Sequence, residues 1–271
     1  MSGPIDYVPL DERGWRLAVG LRPLEIEHWL EVDDRRAEEL ELKDRLLRER
    51  RDVVVATRTG GDAPSAELLA EVVAWLGAYR PELAREVDPA EHPIVAASRL
   101  VQEDLCVLVR SDAWRLEAAS VCFPSRWRLA NKIGTTLDEI HGPVPGFQEE
   151  LSRPTTSVFD RLRPERSFWR LNWTLLDHPD LHQPEGARDT VEGPVTDWSF
   201  RVERQTLRCL PHTGAVVFTI RTYVQTLAGV MSRHDDFASN LLRALDQAPE
   251  PMRAYKGWRG VAQRLREAGV G

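Results

Sequence analysis

The chain has no apolar run approaching the ~20 residues that cross a bilayer, and its start, up to Trp15, lacks the charged-then-apolar layout of a signal peptide. A cytoplasmic protein is the expectation. Cysteine is scarce: Cys106, Cys122 and Cys209 stand apart, with no Cys-x-x-Cys pair. That leaves too few thiolates for the usual iron–sulfur cluster or a standard structural zinc site, and predicts free thiols buried as small hydrophobes. No Gly-x-Gly-x-x-Gly loop follows a strand and no P-loop is present, so a Rossmann nucleotide site or an NTPase has no support. Positive charge is in deficit, with 36 Lys and Arg against 43 Asp and Glu, a net charge of −7. This balance argues against nucleic acid as the main partner. What remains is an ordinary globular composition, 42% hydrophobic and 29% charged over 271 residues, with ample chain to bury a core. Nine tryptophans are an excess that suits large packing surfaces or the walls of an apolar pocket.

Along the chain, residues 1–23 read as irregular and 24–51 as helix, broken near Asp33 and Asp34. Asp52–Ala56 is a short strand candidate. Ser65 reads as the cap of a helix carrying Leu68, Leu69, Val72, Val73 and Leu76, and another helix starts at Pro93. The texture then changes. Leu105–Val109 and Trp114–Phe123 read as a hairpin. Helices follow, one ending at His141 and one over Phe147–Leu162. Strands are predicted over Phe168–Leu176, Phe200–Leu210 and Ala215–Leu227. The first is separated from the second by a Pro/Gly/Asp-rich loop near 177–197, and a turn at His212-Thr213-Gly214 separates the second from the third. Met231–Gln247 and Ala254–Ala268 complete the chain as helices. The expected class is α+β, a PAS-like five-stranded antiparallel sheet with covering helices and helical extensions at both ends. The divisions are an N-terminal helical extension over 1–103, a core over 104–230 and C-terminal helices over 231–271, packed as one unit.

The stretch from Gly134 to Gly146 is the sharpest local feature. A short helix delivers His141, and Gly142-Pro143-Val144-Pro145-Gly146 turns the chain away. Gly142 can adopt backbone angles closed to other residues, and each proline fixes φ and removes a donor. A histidine at a rigid corner suits an axial metal or haem ligand, although the same position also suits a helix cap or a packed side chain. Period-2 alternation divides the strand residues. Trp169, Leu171, Trp173 and Leu175 oppose Arg170, Asn172 and Thr174. Arg204, Thr206 and Arg208 oppose Glu203, Gln205 and Leu207. Phe218, Ile220 and Val224 oppose Thr219, Arg221, Tyr223 and Gln225. These polar ladders fit a sheet with one solvated face, or a polar cavity bordered by Arg170, Asn172, Gln205, Arg208, Arg221 and Tyr223.

Several segments taken in order resemble the α-subunit of haem-dependent oxidative N-demethylases, a family whose haem domain has the PAS fold. They are Gly20-Leu21-Arg22-Pro23-Leu24, Gln102-Glu103-Asp104-Leu105, Cys122-Phe123-Pro124-Ser125-Arg126-Trp127 and Lys132-Ile133-Gly134. They continue with Ile140-His141-Gly142-Pro143-Val144-Pro145, Trp169-Arg170-Leu171-Asn172-Trp173, Arg204-Gln205-Thr206-Leu207, Phe218-Thr219-Ile220-Arg221-Thr222-Tyr223 and Tyr255-Lys256-Gly257. The resemblance implies haem b held by a histidine, for which His141 is the match. It further implies oxidation of a small amine by O2, with electrons from separate flavin and iron–sulfur reductase subunits. On that footing Arg170, Gln205, Arg208 and Trp173 are the expected haem contacts. Arg221, Asn172 and Tyr223 are the expected donors near bound O2. Homo-oligomerisation is left open. His182 and His234 are kept as alternative ligands that could approach the pocket. Two other functions fit the same fold: a haem-PAS gas or redox sensor acting through a partner, and a non-catalytic subunit that has lost haem.

Overall fold

The computed structural model describes residues 7–185 and 190–270, so the first six residues of the expected irregular start and 186–189 of the expected loop lie outside the described residues. The chain runs β1 (Arg22–Leu24), α1 (Arg36–Glu49), α2 (Arg51–Val54), β2 (Val55–Thr57), α3 (Asp62–Tyr79), α4 (Pro93–Leu100), β3 (Asp104–Arg110) and β4 (Trp114–Ser120). It continues through α5 (Leu137–His141), α6 (Ser152–Arg161), β5 (Ser167–Leu176), β6 (Ser199–Cys209) and β7 (Val216–Thr226). The last helices are α7 (Leu227–Met231), α8 (Phe237–Gln247), α9 (Glu250–Lys256) and α10 (Val261–Glu267). The class is α+β, as expected.

The sheet is wholly antiparallel with seven strands rather than five, in the order β1-β5-β6-β7-β3-β4-β2. The two additional strands are short edges contributed by the N-terminal extension: β2 overlaps the strand candidate at Asp52–Ala56, and β1 falls where no strand was expected. Each is three residues long, too short to show alternation. Several helix expectations are also redrawn by local chemistry. Helix α3 starts at Asp62, so Pro64 sits in its first turn, where a missing N–H costs nothing, and Ser65 is buried inside the helix instead of capping it. The helix expected from Phe147 opens as a π turn, Ser152 N–H reaching the Phe147 carbonyl, because Pro154 has no N–H to continue an α ladder. The last two helices expected become four. The final break falls at Gly257 and Gly260, both left-handed at φ 68° and 69°.

Register sorts the strand side chains onto two faces. Arg170 pairs with Gln205 and Gln205 with Ile220, and Asn172 pairs with Glu203, which places these on the front. Leu171, Arg204 and Arg221 align on the back, as do Trp173, Val202 and Tyr223. The predicted alternation is therefore correct, but the six polar residues expected around one cavity are divided between opposite faces.

The back is closed by the N-terminal third of the chain. Leu46, Leu47, Leu68, Val72, Trp75 and Ile94 pack with Leu105, Val107 and Val217 in one apolar cluster. A fully buried ion network lies beside it. Arg221, 0% exposed, bridges Asp33 at 2.6 Å and Glu39 at 2.7 Å. Gln102 donates to both of those carboxylates, and Lys43 donates to the carbonyls of Val101 and Glu103. Tyr223 and Tyr7 both donate to Glu31, at 2.5 Å each, and Arg204 reaches Glu31 and the His28 carbonyl. Arg208 pairs with Glu71 on α3 and lies over Trp29.

Truncating one member of such a network strands its partners in a low-dielectric site. Arg221→Ala should therefore cost about 3–5 kcal/mol of folding stability, measured by denaturant unfolding. Soluble, folded Arg221→Ala protein should keep the ligand-binding spectrum of the parent, because the side chain lies behind the sheet.

Candidate functional site

The corner at His141 is built by four local devices. Thr136 and Glu139 form a reciprocal capping box: Thr136 N–H donates to Glu139 Oε2 at 2.7 Å, and Glu139 N–H donates to Thr136 Oγ1 at 3.2 Å. This starts α5 at Leu137 and places His141 in its last turn. His141 Nδ1 then donates to the Leu137 carbonyl one turn back, at 2.8 Å. A carbonyl only accepts, so Nδ1 carries the proton and Nε2 presents its lone pair. Finally, the Gly-Pro-Val-Pro-Gly segment folds back through bonds from Val144 N–H to the His141 carbonyl and from Phe147 N–H to the Val144 carbonyl. Phe147 thereby stacks on the imidazole at 4.5 Å and 13°. The left-handed residue that makes this return is Gly146, at φ 79°; Gly142 has an ordinary helical φ of −49°.

His141 opens onto a cavity of about 880 Å³, within the size range of cofactor and small-molecule sites. Its walls are the front of the sheet, the open edge of β5, the helices around His141, and the irregular segment Tyr7–Leu21 laid across as a strap. Strand β1 covers β5 only at residues 167–169, so the cavity wraps around the remaining edge. This explains why both parities of β5, Trp169 to Thr174, line it. Of the chain's seven histidines, His141 alone lines this cavity. His92 caps α4, His182 donates to the Cys122 carbonyl, and His234 sits outside the walls. Among the described residues, no three His, Cys, Asp or Glu side chains gather as a metal-binding group.

Of the predicted site residues, His141, Arg170, Asn172, Trp173 and Gln205 are brought together here. Arg208, Arg221 and Tyr223 are not. They lie on the back face, held by Glu71, by Asp33 with Glu39, and by Glu31. Four further participants were not read as site residues from the sequence: Glu203, Lys132, Lys256 and the strap. Glu203 was legible by alternation as a neighbour of Gln205 on one face, and its register with Asn172 places it on the cavity. Lys256 is distant in sequence and reaches the wall by bonding the Trp173 carbonyl on the open β5 edge, at 3.0 Å.

Electrostatics follow from burial. Desolvation lowers the proton affinity of His141, and the positive charges of Lys132 and Arg170 lower it further against the opposing bond to Leu137. Burial also lowers the proton affinities of Lys132 and Arg170, and pushes Lys256 down to about 8. Among the described residues, Arg170 Nε is buried without a hydrogen-bond partner. The Glu203 carboxylate is already taken by Arg201, Asn172 and Gln205, at 3.2, 3.3 and 3.1 Å. The thiol of Cys106, which also faces the cavity, is pushed far up by burial and is inert at neutral pH.

A buried histidine whose Nε2 meets no partner among the described residues thus stands on the wall of a large cavity. The model of the haem-dependent oxidative N-demethylase, alpha subunit-like family matches residues 82–266, more than half of the chain, and the chain belongs to that family. The match begins beyond α3, so Asp33 and Glu39 lie outside it while His141 and the long strands lie within. Among the described residues no helix is long and apolar enough to cross a membrane.

Folded His141 refuses a proton that the unfolded chain accepts near pH 6.5. The unfolded state thus binds more protons below that value, and stability falls as pH drops through it towards the folded value. Denaturant unfolding of the haem-free chain from pH 7.5 to 5.5 should show this loss. His141→Gln should lack that component.

Proposed function

We propose that this chain is the haem b-carrying subunit of an oxidase that uses O2 to remove an N-methyl group from a small amine, receiving electrons from separate flavin and iron–sulfur subunits. The observation that carries the reading is the Nε2 of neutral His141 on the cavity wall, which has no partner among the described residues. The residues present suit haem. One imidazole supplies the single protein ligand that a porphyrin iron needs, and the Nδ1 bond to Leu137 fixes its tautomer and ring orientation. Trp169, Leu171, Trp173 and Phe147 offer apolar walls, and the unsatisfied Arg170 offers a cation to a propionate. The five long strands β3 to β7 form an unbroken antiparallel block, and we read it as the PAS-like core of the family.

When bound, haem supplies the O2 activation and electron removal that no side chain here provides. The protein's share is position and polarity. His141 would hold the group, and burial keeps its imidazole neutral. Asn172 and Gln205 present amide groups along the front of the sheet, where they orient the amine and stabilise charge that develops beside it. The strap from Tyr7 to Leu21 and the aromatic walls limit water in the cavity. The products are formaldehyde and the amine with one methyl fewer. The family's designation as an alpha subunit supports the separate reductase partners, and the intracellular setting expected from the sequence suits such a complex.

Purified protein given haem should develop a Soret band that survives gel filtration, and His141→Ala should lose it. Reduced holoprotein with O2 and N-methylated amines should release formaldehyde. Absence of haem uptake sinks the reading. Haem uptake without amine oxidation turns it into a sensor.

A further inference from the structure

The charge on the cavity wall is unbalanced. Arg170, Lys132 and Lys256 all face the cavity, and among the described residues none of them has a carboxylate within ion-pair distance. Lys132 donates to the Ile140 carbonyl at 2.6 Å and lies over the Trp127 ring; Lys256 has only Asn172 Oδ1 and the Trp173 carbonyl. The acids that line the cavity are Asp11, held by Arg13 and Arg16, and Glu203, held by Arg201. Buried cations without counterions are costly, and a site that keeps them is matched to anions. Haem brings two carboxylates, fewer than the cations on this wall, to which Arg22 over the Trp169 ring also belongs.

Lys256 differs from the other two in what stands beside it. Asn172 accepts from Lys256 Nζ at 3.2 Å and donates through Nδ2 to Glu203 Oε2 at 3.3 Å. Asn172 and the Trp173 carbonyl thus aim the ammonium of Lys256 at the cavity without neutralising it, an arrangement complementary to a carboxylate. We propose that Lys256, positioned by Asn172, forms a substrate subsite for an N-methylated amino acid, with the substrate carboxylate on Lys256, in preference to a simple alkylamine. This deepens the amine-oxidase reading and rests on it. Tyr255, 37% exposed, adjoins the subsite and leaves it near solvent, where a substrate can enter.

The charged and titratable groups around Lys256 are Glu203 on β6, Arg170 on β5 and Tyr255 on α9; the same cavity is also lined by Tyr7, Asp11, Arg13 and Arg16 of the strap and by Arg22, Cys106, Arg126, Lys132 and His141. Arg170 stays charged, and Tyr255 is raised by burial. A carboxylate ligand requires Lys256 protonated, so its affinity is full below pH ~7 and declines as pH rises through about 8.

The test is calorimetric titration of the holoprotein with N-methylglycine, dimethylamine and acetate. At pH 7, N-methylglycine should bind at least about tenfold tighter than dimethylamine. That preference should fall about tenfold by pH 9. Lys256→Met should abolish it while the Soret band remains. Equal affinities, a preference that survives Lys256→Met, or loss of haem from that variant would each overturn the proposal, the last because Lys256 would then hold a propionate. Failure of the haem reading shows separately as a missing Soret band, and the calorimetric preference is read on the full chain with or without haem.

Discussion

The ion network around Arg221 is the constraint on which the two-sided use of the sheet depends. Its guanidinium lies fully buried between Asp33 and Glu39, so the loop ahead of α1 and α1 itself must sit on the back of β7. Any other placement leaves a charge in the interior without its partner, a loss of several kcal/mol. Glu31 adds the bonds from Tyr7, Arg204 and Tyr223. The motif Gln102-Glu103-Asp104 ties the same region to the sheet: Gln102 reaches Asp33 and Glu39, Glu103 accepts from Glu31 N–H, and Asp104 accepts from Cys122 and Phe123 N–H. With the back so occupied, the front and the open edge of β5 are what remain for a ligand.

Front and back therefore use polar residues in opposite ways. On the back Arg204, Arg208 and Arg221 meet carboxylates and Lys43 meets two carbonyls, and the network stabilises one arrangement of the chain. On the front Arg170, Lys132 and Lys256 lack carboxylate partners, and the free Nε2 of His141 is held neutral among them. Cations without counterions are costly within a protein, and their gathering around one cavity is the physical sign of a site completed by something else. Strand β6 serves both faces. Arg204 and Arg208 turn to the back, while Glu203 and Gln205 turn to the front.

Much of the element order was legible because long strands carry a period-2 signal and helices announce their starts. The hairpin, the three later strands and α4 are where alternation and Pro93 placed them. The capping box of Thr136 and Glu139 was present in the sequence as a Thr-x-x-Glu pattern and places the helix that carries His141. The edge strand β1 was not legible and β2 showed only as the short candidate at Asp52–Ala56, since three residues held by pairing alone leave no pattern. The π turn at Phe147 and the break between α9 and α10 depend on Pro154, Gly257 and Gly260, whose effect on a helix is certain but whose outcome, kink or stop, is set by packing.

By itself the sequence determined the α+β class, the strands and the parity of each side chain on them. It also determined the rigid corner at His141, because backbone propensity, alternation and proline geometry are local. Which face of the sheet became the site was decided only by tertiary structure. Arg221 and Tyr223 look the same in alternation as Arg170 and Asn172. They differ because acids more than a hundred residues away fold over one set and not the other. Lys256 joins the site for the same reason, through a carbonyl on an edge that β1 is too short to cover.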